Sequence, residues 1–526
     1  MKKALVLFLC LVVLILSGCG SGAYKKDMKF TYILPGDITS LDPQTCKTES
    51  EKMVASMLFE GLCRLDSTGS PIPGAARSWE SNAEFTRWTF NLREGACWSN
   101  GERLLAEDFV FGMRRALMPD SKADDIESMF IIRGARELNR GEAEPETLGV
   151  YSPDSRTVVF ELSASLEEFP RFTAGPRFMP CQQKYFEDTV GHYGMDATYM
   201  LTNGPFTFQS NYAWKPGESL SLAKTINHVS EEEVLPAFIN LPLNQSAEDI
   251  ADPVAALKDE TIDLIRISGS LVEEAKDNNC EVITLNDSVY GLLLNTKNEL
   301  LEDVSMRRIF LSSIDRGEVI SRMGEDYTEA LGIMPRCIRW QESSYQKPGN
   351  IMYVRQNPDA AEDIDSVLKD LDMKSFPTIT IICPDNEYSK YLANGIIVSW
   401  NELLPNMYNL EPLSREEYNS RIATGDYQAA LYSFTSGGTT PISVLTKFAS
   451  TASPALLDDE SYDQQLKELS FTTEAYQTLE QELINRYVFY PIHYLQSYYA
   501  VNPKARGIVI PADTGPDFTA AIKRDS

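Results

Sequence analysis

The residues on which metal and cofactor chemistry depends are scarce in this chain. It contains only three histidines, His192, His228 and His493, and their spacing matches no metal-binding pattern. The nine cysteines include no C-x-x-C pair, which argues against a zinc or iron–sulfur framework. We therefore predict that the protein holds no metal and no cofactor.

Catalytic motifs are missing as well. The chain has no H-E-x-x-H, no G-x-S-x-G elbow and no Walker A loop. Residues 366–369 fit S-x-x-K, but the companion S-D-N and K-T-G motifs are absent, so a chance match is the simpler interpretation. We predict that the protein is not an enzyme. A hydrolase stays the catalytic alternative, although no paired nucleophile and base is visible.

Basic residues are outnumbered by acidic ones. The 48 lysines and arginines against 76 aspartates and glutamates give a formal net charge of −28. Nucleic-acid affinity comes mainly from basic residues against phosphates, so this balance excludes nucleic acid as a partner. It permits a preference for cationic or neutral small ligands, although solubility alone is a simpler explanation.

Only one long apolar run occurs, and it lies at the N-terminus. Two lysines precede the run at 4–16, and an L-S-G-C sequence ending at Cys19 follows it. A positive start, a short apolar core and small residues before a cleavage site are typical of a secretory signal peptide. The cysteine after the small residues indicates the lipoprotein form, in which Cys19 becomes the lipidated N-terminus. A transmembrane anchor is the alternative, but thirteen residues are too few to span about 30 Å as a helix.

We therefore predict a signal peptide over 1–18, a lipidated tether over 19–27, and an exported protein held at a bacterial membrane by acyl chains alone. Export permits disulfides among the seven cysteines that follow Cys19. Their sequence positions assign no pairing, and buried free thiols are an equally good interpretation. These cysteines are Cys46, Cys63, Cys97, Cys181, Cys280, Cys337 and Cys383.

Strand and helix patterns alternate along the rest of the chain. Hydrophobic spacing predicts strands over 29–34, 86–92, 157–162, 205–210, 281–285, 289–295 and 378–383. It predicts helices over 106–118, 303–323, 388–404, 415–423 and 472–487. This alternation favours an α/β or α+β class. No internal repeat or long linker interrupts it, so we expect the domains to share one compact body.

The block from Ala75 to Leu117 carries an ordered set of motifs. It contains a tryptophan, an aromatic strand, an L-R pair, a W-S-N-G turn and A-E-D-F-V, in that order. This block resembles the signature region of the family 5 extracellular solute-binding proteins, the peptide and nickel binders of ABC importers. Further landmarks follow in family order at Ser40–Pro43, Phe59–Leu62, Leu201–Phe206, Tyr290–Asn295, Val304–Arg308 and Tyr490–Tyr494. The resemblance covers nearly the whole chain beyond Cys19.

The resemblance implies an α/β fold of the periplasmic-binding-protein-like type II class. Three domains would form two lobes, and the ligand would lie in the cleft between them, enclosed by hinge closure. Mapped onto this chain, domain I would comprise 28–67, 191–285 and 499–526. Domain II would comprise 68–190, and domain III would comprise 286–498.

The resemblance also implies the substrate-binding subunit of an ABC importer. Such a subunit captures oligopeptides and delivers them to membrane permease subunits, which ATPase subunits drive. We expect these partners, a monomeric state, and a location in the periplasm or cell envelope. A surface lipoprotein without a transport role is the alternative from a different class.

One segment departs from the family pattern. In the oligopeptide binders, a carboxylate in a W-x-A-D-Y segment meets the amino group of the peptide. The matching stretch here begins at Tyr432, and Thr435 stands at the aspartate position, with no acid between Asp426 and Asp458. Either a peptide amine is held elsewhere or not at all, or the ligand has no free amine. A capped peptide, a cell-wall fragment or a haem, which some relatives bind, would be such a ligand.

The resemblance implies a ligand cleft whose candidate residues all come from domain III. An ordinary loop is the alternative for the residues 432–436, although the family position favours cleft lining. A packed strand is the equally weighted alternative for His493 and Tyr494, and the alignment at Arg421 is ambiguous by one residue. If nothing replaces the missing acid, free and N-acetylated peptides should bind with similar affinity. The candidates are Tyr432, Ser433, Phe434, Thr435, Ser436, Arg421, His493 and Tyr494.

Overall fold

The structure is a computed structural model. It describes residues 27–121, 123, 126–321, 327–340, 343–345, 366–370, 372–374, 378–404, 408–452, 454–511 and 514–524. The predicted signal peptide and Cys19 lie outside these residues. Within them, no helix combines the length and the apolar character needed to cross a membrane.

Three sheets organise the described chain. The first has the strand order Lys29–Thr31, Phe238–Pro242, Ser219–Lys224 and Phe206–Phe208, with Trp214–Lys215 also on Ser219–Lys224. The second is antiparallel, with the order Ala76–Ser81, Arg87–Leu92, Thr157–Glu161 and Val150–Asp154. The third is mixed, with the order Leu264–Ile267, Phe489–Val501, Glu281–Leu294, Ala429–Thr435, Ile379–Pro384 and Tyr408–Leu413, and with Thr328–Glu329 on Phe489–Val501. Two-stranded ribbons join Cys63–Leu65 to Pro71–Pro73, Arg339–Trp340 to Ser343–Ser344, and Ala505–Arg506 to Ile522–Lys523.

Helices fill the connections between these strands. The α-helices are Glu49–Leu58, Ala106–Leu117, Ala135–Asn139, Phe169–Phe172, Gln183–Asp188, Pro253–Lys258, Val272–Asp277, Val304–Ser312, Arg316–Ser321, Glu387–Leu403, Arg415–Thr424, Pro441–Leu445, Glu460–Glu468 and Thr473–Asn485. Short 3₁₀ turns occur at Ile126–Ile131, Pro145–Thr147, Pro176–Phe178, Ala197–Tyr199, Glu231–Glu233, Ala247–Asp249, Gly269–Leu271 and Thr446–Phe448.

Two long strands, Glu281–Leu294 and Phe489–Val501, connect the two halves of the molecule, and we call them the crossing strands. They pair antiparallel with each other along most of their length. At one end Phe489–Val501 pairs with Leu264–Ile267, whose first residue bridges to Tyr32 beside the first sheet. At the other end Glu281–Leu294 pairs with Ala429–Thr435. Lobe one is the body around the first two sheets, together with the strand Leu264–Ile267. Lobe two is the body around the strands Ala429–Thr435, Ile379–Pro384 and Tyr408–Leu413 of the third sheet.

The first crossing strand is continuous where the sequence predicts two strands. The polar stretch Asn286-Asp287-Ser288 has the composition of a turn, but here it is an irregularity at which the register with the partner strand shifts. The Asp287 carboxylate accepts hydrogen bonds from the hydroxyls of Ser288 (2.9 Å) and Ser497 (2.8 Å), so it is satisfied without leaving the sheet. Such an irregularity lets a strand bend, and this one lies where the strand passes between the lobes.

The predicted helix over 303–323 is present as two helices, Val304–Ser312 and Arg316–Ser321. Asp315 interrupts it because its backbone N–H donates to Oγ of Ser399 (2.7 Å) instead of continuing the helix. The Asp315 carboxylate then accepts a hydrogen bond from the backbone N–H of Glu318 (2.9 Å). This bond caps the start of the second helix. Residues 322 and 323 lie outside the described part of the chain.

The family block builds the interior of lobe one. Asp108, in the first turn of the helix Ala106–Leu117, accepts hydrogen bonds from the indole N–H of Trp98 (3.0 Å) and the backbone N–H of Leu105 (2.9 Å). Burial raises the pKa of Asp108 to about 6 in spite of these bonds. These motifs therefore fix the start of a helix and its packing, away from the space between the lobes.

Candidate functional site

A cavity of about 500 Å³ lies between the lobes, beside the crossing strands. Lobe one lines this main cavity with Lys47, Thr48, Glu49, Lys52, Met53 and Arg266. Lobe two lines it with Tyr432, Ser433, Phe434, Thr435, Gly437 and Lys447. The crossing strands contribute Leu285, Asp287, Ser288, Leu495, Gln496 and Tyr499 to the wall.

Glu49 reaches the main cavity because of how its helix begins. The Thr48 hydroxyl accepts from the backbone N–H of Glu51 (3.1 Å), and the Glu51 carboxylate accepts from the backbone N–H of Thr48 (3.0 Å). The same carboxylate accepts the backbone N–H of Thr39 (2.9 Å), which fixes the preceding loop. This rigid first turn holds Glu49 at the first position of the helix Glu49–Leu58, with its side chain exposed to the cavity.

Thr435 ends the strand Ala429–Thr435 and faces Glu49 from the other lobe. Its hydroxyl donates a hydrogen bond to Oε1 of Glu49, which joins the lobes directly. On one side the strand is paired along its whole length with Glu281–Leu294, whereas Ile379–Pro384 pairs with only its first two residues on the other side. Among the described residues, no strand pairs with Tyr432–Thr435 on that second side. The edge of these four residues is therefore open where they line the cavity.

The two carboxylates of the described cavity wall differ in state. Desolvation between the lobes acts to raise the pKa of Glu49. Lys447, the Thr435 hydroxyl, Arg266 and Lys52 together outweigh it, so the net shift of the pKa is downward. Asp287 is buried, and that desolvation raises its pKa despite its hydrogen bond from Ser497. Glu49 is thus the ionised carboxylate that this wall exposes, beside the four cations Lys47, Lys52, Arg266 and Lys447.

A smaller pocket of about 160 Å³ adjoins the main cavity, and we call it the side pocket. It lies between residues 171–178 of lobe one and 436–447 of lobe two, and Arg171 donates to the Thr439 hydroxyl across this boundary. Its described lining contains no carboxylate, whereas it includes the basic residues Lys52, Arg171, Arg177 and Lys447. The side pocket therefore suits a neutral or anionic group.

Five of the predicted site residues lie at these spaces. Tyr432, Ser433, Phe434 and Thr435 line the main cavity. Ser436 lines the side pocket, and its hydroxyl lies 3.3 Å from the Sγ atom of Cys337. The family alignment therefore brings one strand and the turn after it to the cleft, and ligand binding by these residues stays a prediction.

The structure places the other three predicted residues elsewhere. Arg421 lies on the helix Arg415–Thr424, where it pairs with Glu411 (3.0 Å) and with Asp426 (3.5 Å), and it lines neither the main cavity nor the side pocket. Arg421 therefore pairs with acidic residues close to its own helix. Its position in the sequence did not predict whether it lines the cleft.

His493 and Tyr494 also lie outside the cleft lining, because the cavity begins further along their strand, at Leu495. His493 is fully buried in lobe two, and its Nε2 atom accepts a hydrogen bond from the Tyr388 hydroxyl. Burial lowers the pKa of His493 to about 4, so the ring is neutral. The Tyr494 ring is half-buried, with the Arg336 guanidinium 4.9 Å from its centroid. The packed-strand alternative describes both positions.

Sequence reasoning missed the charged residues of the main cavity, which are Lys47, Glu49, Lys52, Arg266 and Lys447. One signal for Glu49 was present, because T-E-S-E at 48–51 is a capping-box pattern that places an acid at the start of a helix. Nothing in the sequence indicates that this helix starts opposite Thr435.

The seven cysteines left open by the sequence are free thiols in the structure. Five are buried, whereas Cys97 and Cys337 are partly exposed. Of the two alternatives, the structure therefore matches free thiols. Within the described ranges, no group of three or more His, Cys, Asp or Glu side chains is arranged to hold a metal ion.

Comparison with known proteins agrees with this architecture. The family model of bacterial extracellular solute-binding proteins, family 5 (middle region), matches residues 70–455. The oligopeptide-binding protein OppA of Bacillus subtilis (strain 168) is 25% identical over 478 residues, which cover 85% of this chain and 84% of that protein. A crystal structure of the substrate-binding domain of an oligopeptide ABC transporter from Bacillus anthracis (strain Ames) superposes with a TM-score of 0.77 at 22% identity, covering 95% of this chain and all of that one. The predicted two-lobed α/β fold is thereby confirmed.

Two structures of one relative bear on the disposition of the lobes. The murein tripeptide-binding protein MppA of Escherichia coli, 21% identical, superposes with a TM-score of 0.74, covering 96% of this chain and all of that one. The unliganded open form of MppA superposes with a TM-score of only 0.57, covering 94% of this chain and 96% of that one. This chain therefore superposes less well on that open form. In this chain, Glu49 contacts Thr435 and Arg171 contacts Thr439 across the cleft.

Proposed function

This chain belongs to the bacterial extracellular solute-binding proteins of family 5, and we propose that it captures oligopeptides between its lobes and delivers them to the permease of an ABC importer. The observation that carries the proposal is the open strand edge Tyr432–Thr435 inside a cavity of about 500 Å³. An extended peptide adds to such an edge through main-chain hydrogen bonds, which every peptide offers whatever its sequence. A cavity of this size suits a ligand of several residues.

The charges of the main cavity support the same proposal. A peptide carries an ammonium at one end and a carboxylate at the other, and each needs a partner when it leaves water. The cavity wall provides the ionised Glu49 together with the cations Lys47, Lys52, Arg266 and Lys447. A wall of both signs accommodates a zwitterion better than a wall of one sign. The names of relatives, such as the oligopeptide-binding protein of Bacillus subtilis, support the same ligand class.

Among the sequence-predicted site residues, we assign ligand contact to Tyr432, Ser433, Phe434, Thr435 and Ser436. We assign Arg421, His493 and Tyr494 no such contact, because they line neither space. We also propose the division into three domains, with boundaries at 67/68, 190/191, 285/286 and 498/499. The register shift after Leu285 supports the boundary at 285/286.

The same proposal includes the cellular setting. Signal cleavage would leave Cys19 as a lipidated N-terminus, and a monomer would sit at the membrane through acyl chains and meet permease and ATPase subunits there. No chemical step is assigned to this subunit, which captures and releases its ligand unchanged. Changing Cys19 to Ser should abolish incorporation of labelled palmitate, and it should leave the precursor unprocessed or the mature protein free of the membrane. Membrane-bound, labelled Cys19→Ser protein would contradict the anchor.

Native mass spectrometry of protein purified without denaturation tests the ligand class. A co-purified ladder of peptide masses is the expected result, since main-chain recognition selects no single sequence. A single haem mass or a cell-wall fragment would replace peptides with the amine-free alternative. The protein could instead be empty, and its melting temperature could fail to rise with a millimolar pool of tri- to hexapeptides. The remaining alternative would then be a surface lipoprotein without transport ligands.

A further inference from the structure

Glu49 stands where a carboxylate can receive the charged end of a peptide. We propose that Glu49, on lobe one, binds the free α-amino group of the ligand, although the strand of lobe two carries Thr435 where the family places an acid. This inference rests on the proposed function, because it names the residue that orients a peptide in the same cavity.

Among the described residues, few carboxylates line the two spaces between the lobes. An ammonium group that leaves water needs an anionic partner. The described wall of the main cavity contains two carboxylates, and the buried Asp287 already accepts from the hydroxyls of Ser288 and Ser497. The described wall of the side pocket contains none. Glu49 is thus the carboxylate that the described parts of both walls expose to a ligand.

Glu49 lies at the end of the open strand edge. Thr435 ends the open strand edge, and its hydroxyl bonds to Oε1 of Glu49. A peptide that pairs with Tyr432–Thr435 therefore passes Glu49 at one end of the paired stretch, and a peptide that ends there places a terminus beside Glu49. The negative charge of Glu49 favours the amino terminus there. A carboxylate accepts about four hydrogen bonds, so the Thr435 hydroxyl leaves acceptor sites for an ammonium.

The start of its helix holds Glu49 in place. The Thr48–Glu51 capping box fixes the helix start, so the Glu49 backbone is ordered before a ligand arrives. Lys447 and the Thr435 hydroxyl favour the ionised form, which is the form that binds an ammonium. A preorganised, charged acceptor loses little freedom when it binds.

The proposal changes what is expected from the sequence. With Glu49 as the acceptor, the protein discriminates between free and N-acetylated peptides although Thr435 is not an acid. It also links recognition to closure, because Glu49 belongs to lobe one and the strand edge belongs to lobe two. A peptide with a free amine then contacts both lobes and favours the arrangement in which they meet.

Calorimetry on penta-alanine and N-acetyl-penta-alanine tests the proposal, using protein stripped of ligand by unfolding and refolding. Wild type should bind the free peptide at least tenfold more tightly, a difference of about 1.4 kcal/mol. Glu49→Gln should remove this preference by weakening only the free peptide. Glu416→Gln is the matched control, since Glu416 is also an exposed acid in the first turn of a helix but lines neither space. It should keep the wild-type preference.

The outcomes separate this inference from the proposed function. A preference retained in Glu49→Gln, with the melting temperature unchanged, would overturn the assignment of Glu49. Equal binding of both peptides by wild type would also overturn it, while peptide capture itself would stand. If wild type binds neither peptide and native mass spectrometry detects no peptide, the proposed function fails first. Should Glu49→Gln fold poorly, Glu49→Ala is judged by the same ratio of the two peptide affinities.

Discussion

Glu49 in the cleft and His493 inside lobe two show opposite ways of placing a titratable side chain. Glu49 is exposed to a water-accessible cavity, with Lys447 and the Thr435 hydroxyl near its carboxylate, and its pKa is lowered. His493 is fully buried among Tyr290, Tyr327 and Tyr388, with ring centroids 5.3–5.8 Å from its own. Charge is thus kept where cations and water surround the carboxylate, and it is absent where burial among aromatic rings desolvates the imidazole.

The hydrogen bonds of His493 fit a neutral ring. Nδ1 donates to the backbone carbonyl of Tyr494 (3.1 Å), which leaves Nε2 as the acceptor for the Tyr388 hydroxyl. Both nitrogens are satisfied without a proton being added. The comparison teaches that the two regions have separable tasks, because the cleft governs binding and the interior of lobe two governs stability. Substitutions in each region should therefore affect one property and spare the other.

The largest expected effect is on stability, from a cavity in lobe two. Tyr490 is 1% exposed, its hydroxyl donates to the carbonyl of Ile314 (3.0 Å), and its ring lies 4.5 Å from the Arg316 guanidinium. We expect Tyr490→Ala to lower the free energy of unfolding by about 3–5 kcal/mol, as for other large buried aromatic residues. Urea denaturation measures this. Peptide affinity at a temperature where the variant is folded should change less than twofold, and a large loss would break the separation.

The next effect is the pH dependence that His493 contributes. Its pKa is lowered from 6.5 to about 4 in the folded protein, so the unfolded chain binds the proton more tightly. Its contribution to stability is therefore complete above pH 6.5 and is lost as the pH falls towards 4. The loss is about 3 kcal/mol in all, and about 2 kcal/mol of it occurs between pH 7 and pH 5.

Denaturation of wild type and His493→Gln at pH 7 and pH 5 isolates this contribution. The glutamine variant should be less stable at pH 7, and its stability should fall less between the two pH values, because its side chain does not titrate. Parallel pH profiles of the two proteins would show that His493 is not held neutral by burial.

This contrast also marks how far the sequence is informative. Ordered family motifs predicted the two lobes and brought Tyr432–Thr435 to the cleft, because those motifs build the core and the strand order. They did not identify Glu49, since its proximity to Thr435 depends on how lobe one meets lobe two. His493 was a candidate because it lies in the family landmark Tyr490–Tyr494. The cavity borders the strand that contains His493 only from Leu495 onwards, and sequence spacing encodes neither this border nor the register shifts of the crossing strands.

A bulky residue in the cleft should affect binding alone. Ser433 is exposed and lines the main cavity from the open strand edge. We expect Ser433→Trp to reduce peptide affinity at least a hundredfold, or about 2.7 kcal/mol, because the ring occupies the ligand's place. The melting temperature should stay within about 2 °C, since no core packing is disturbed. Arg421→Met serves as the control, because Arg421 lines neither space, and it should bind like wild type.

The smallest expected effect concerns the charge environment of Glu49. An ammonium needs Glu49 ionised, and Lys447 contributes to keeping its pKa below the usual range. The affinity of wild type for penta-alanine should therefore stay constant from pH 7 to pH 5, where the peptide amine remains protonated. Lys447→Met should raise the pKa of Glu49. The affinity of this variant for penta-alanine should therefore fall by about twofold over the same interval. Glu49→Gln should show no such fall, because its amide does not titrate. A tenfold decrease in wild type would mean that Glu49 itself titrates between pH 7 and pH 5, which would remove the contrast with His493.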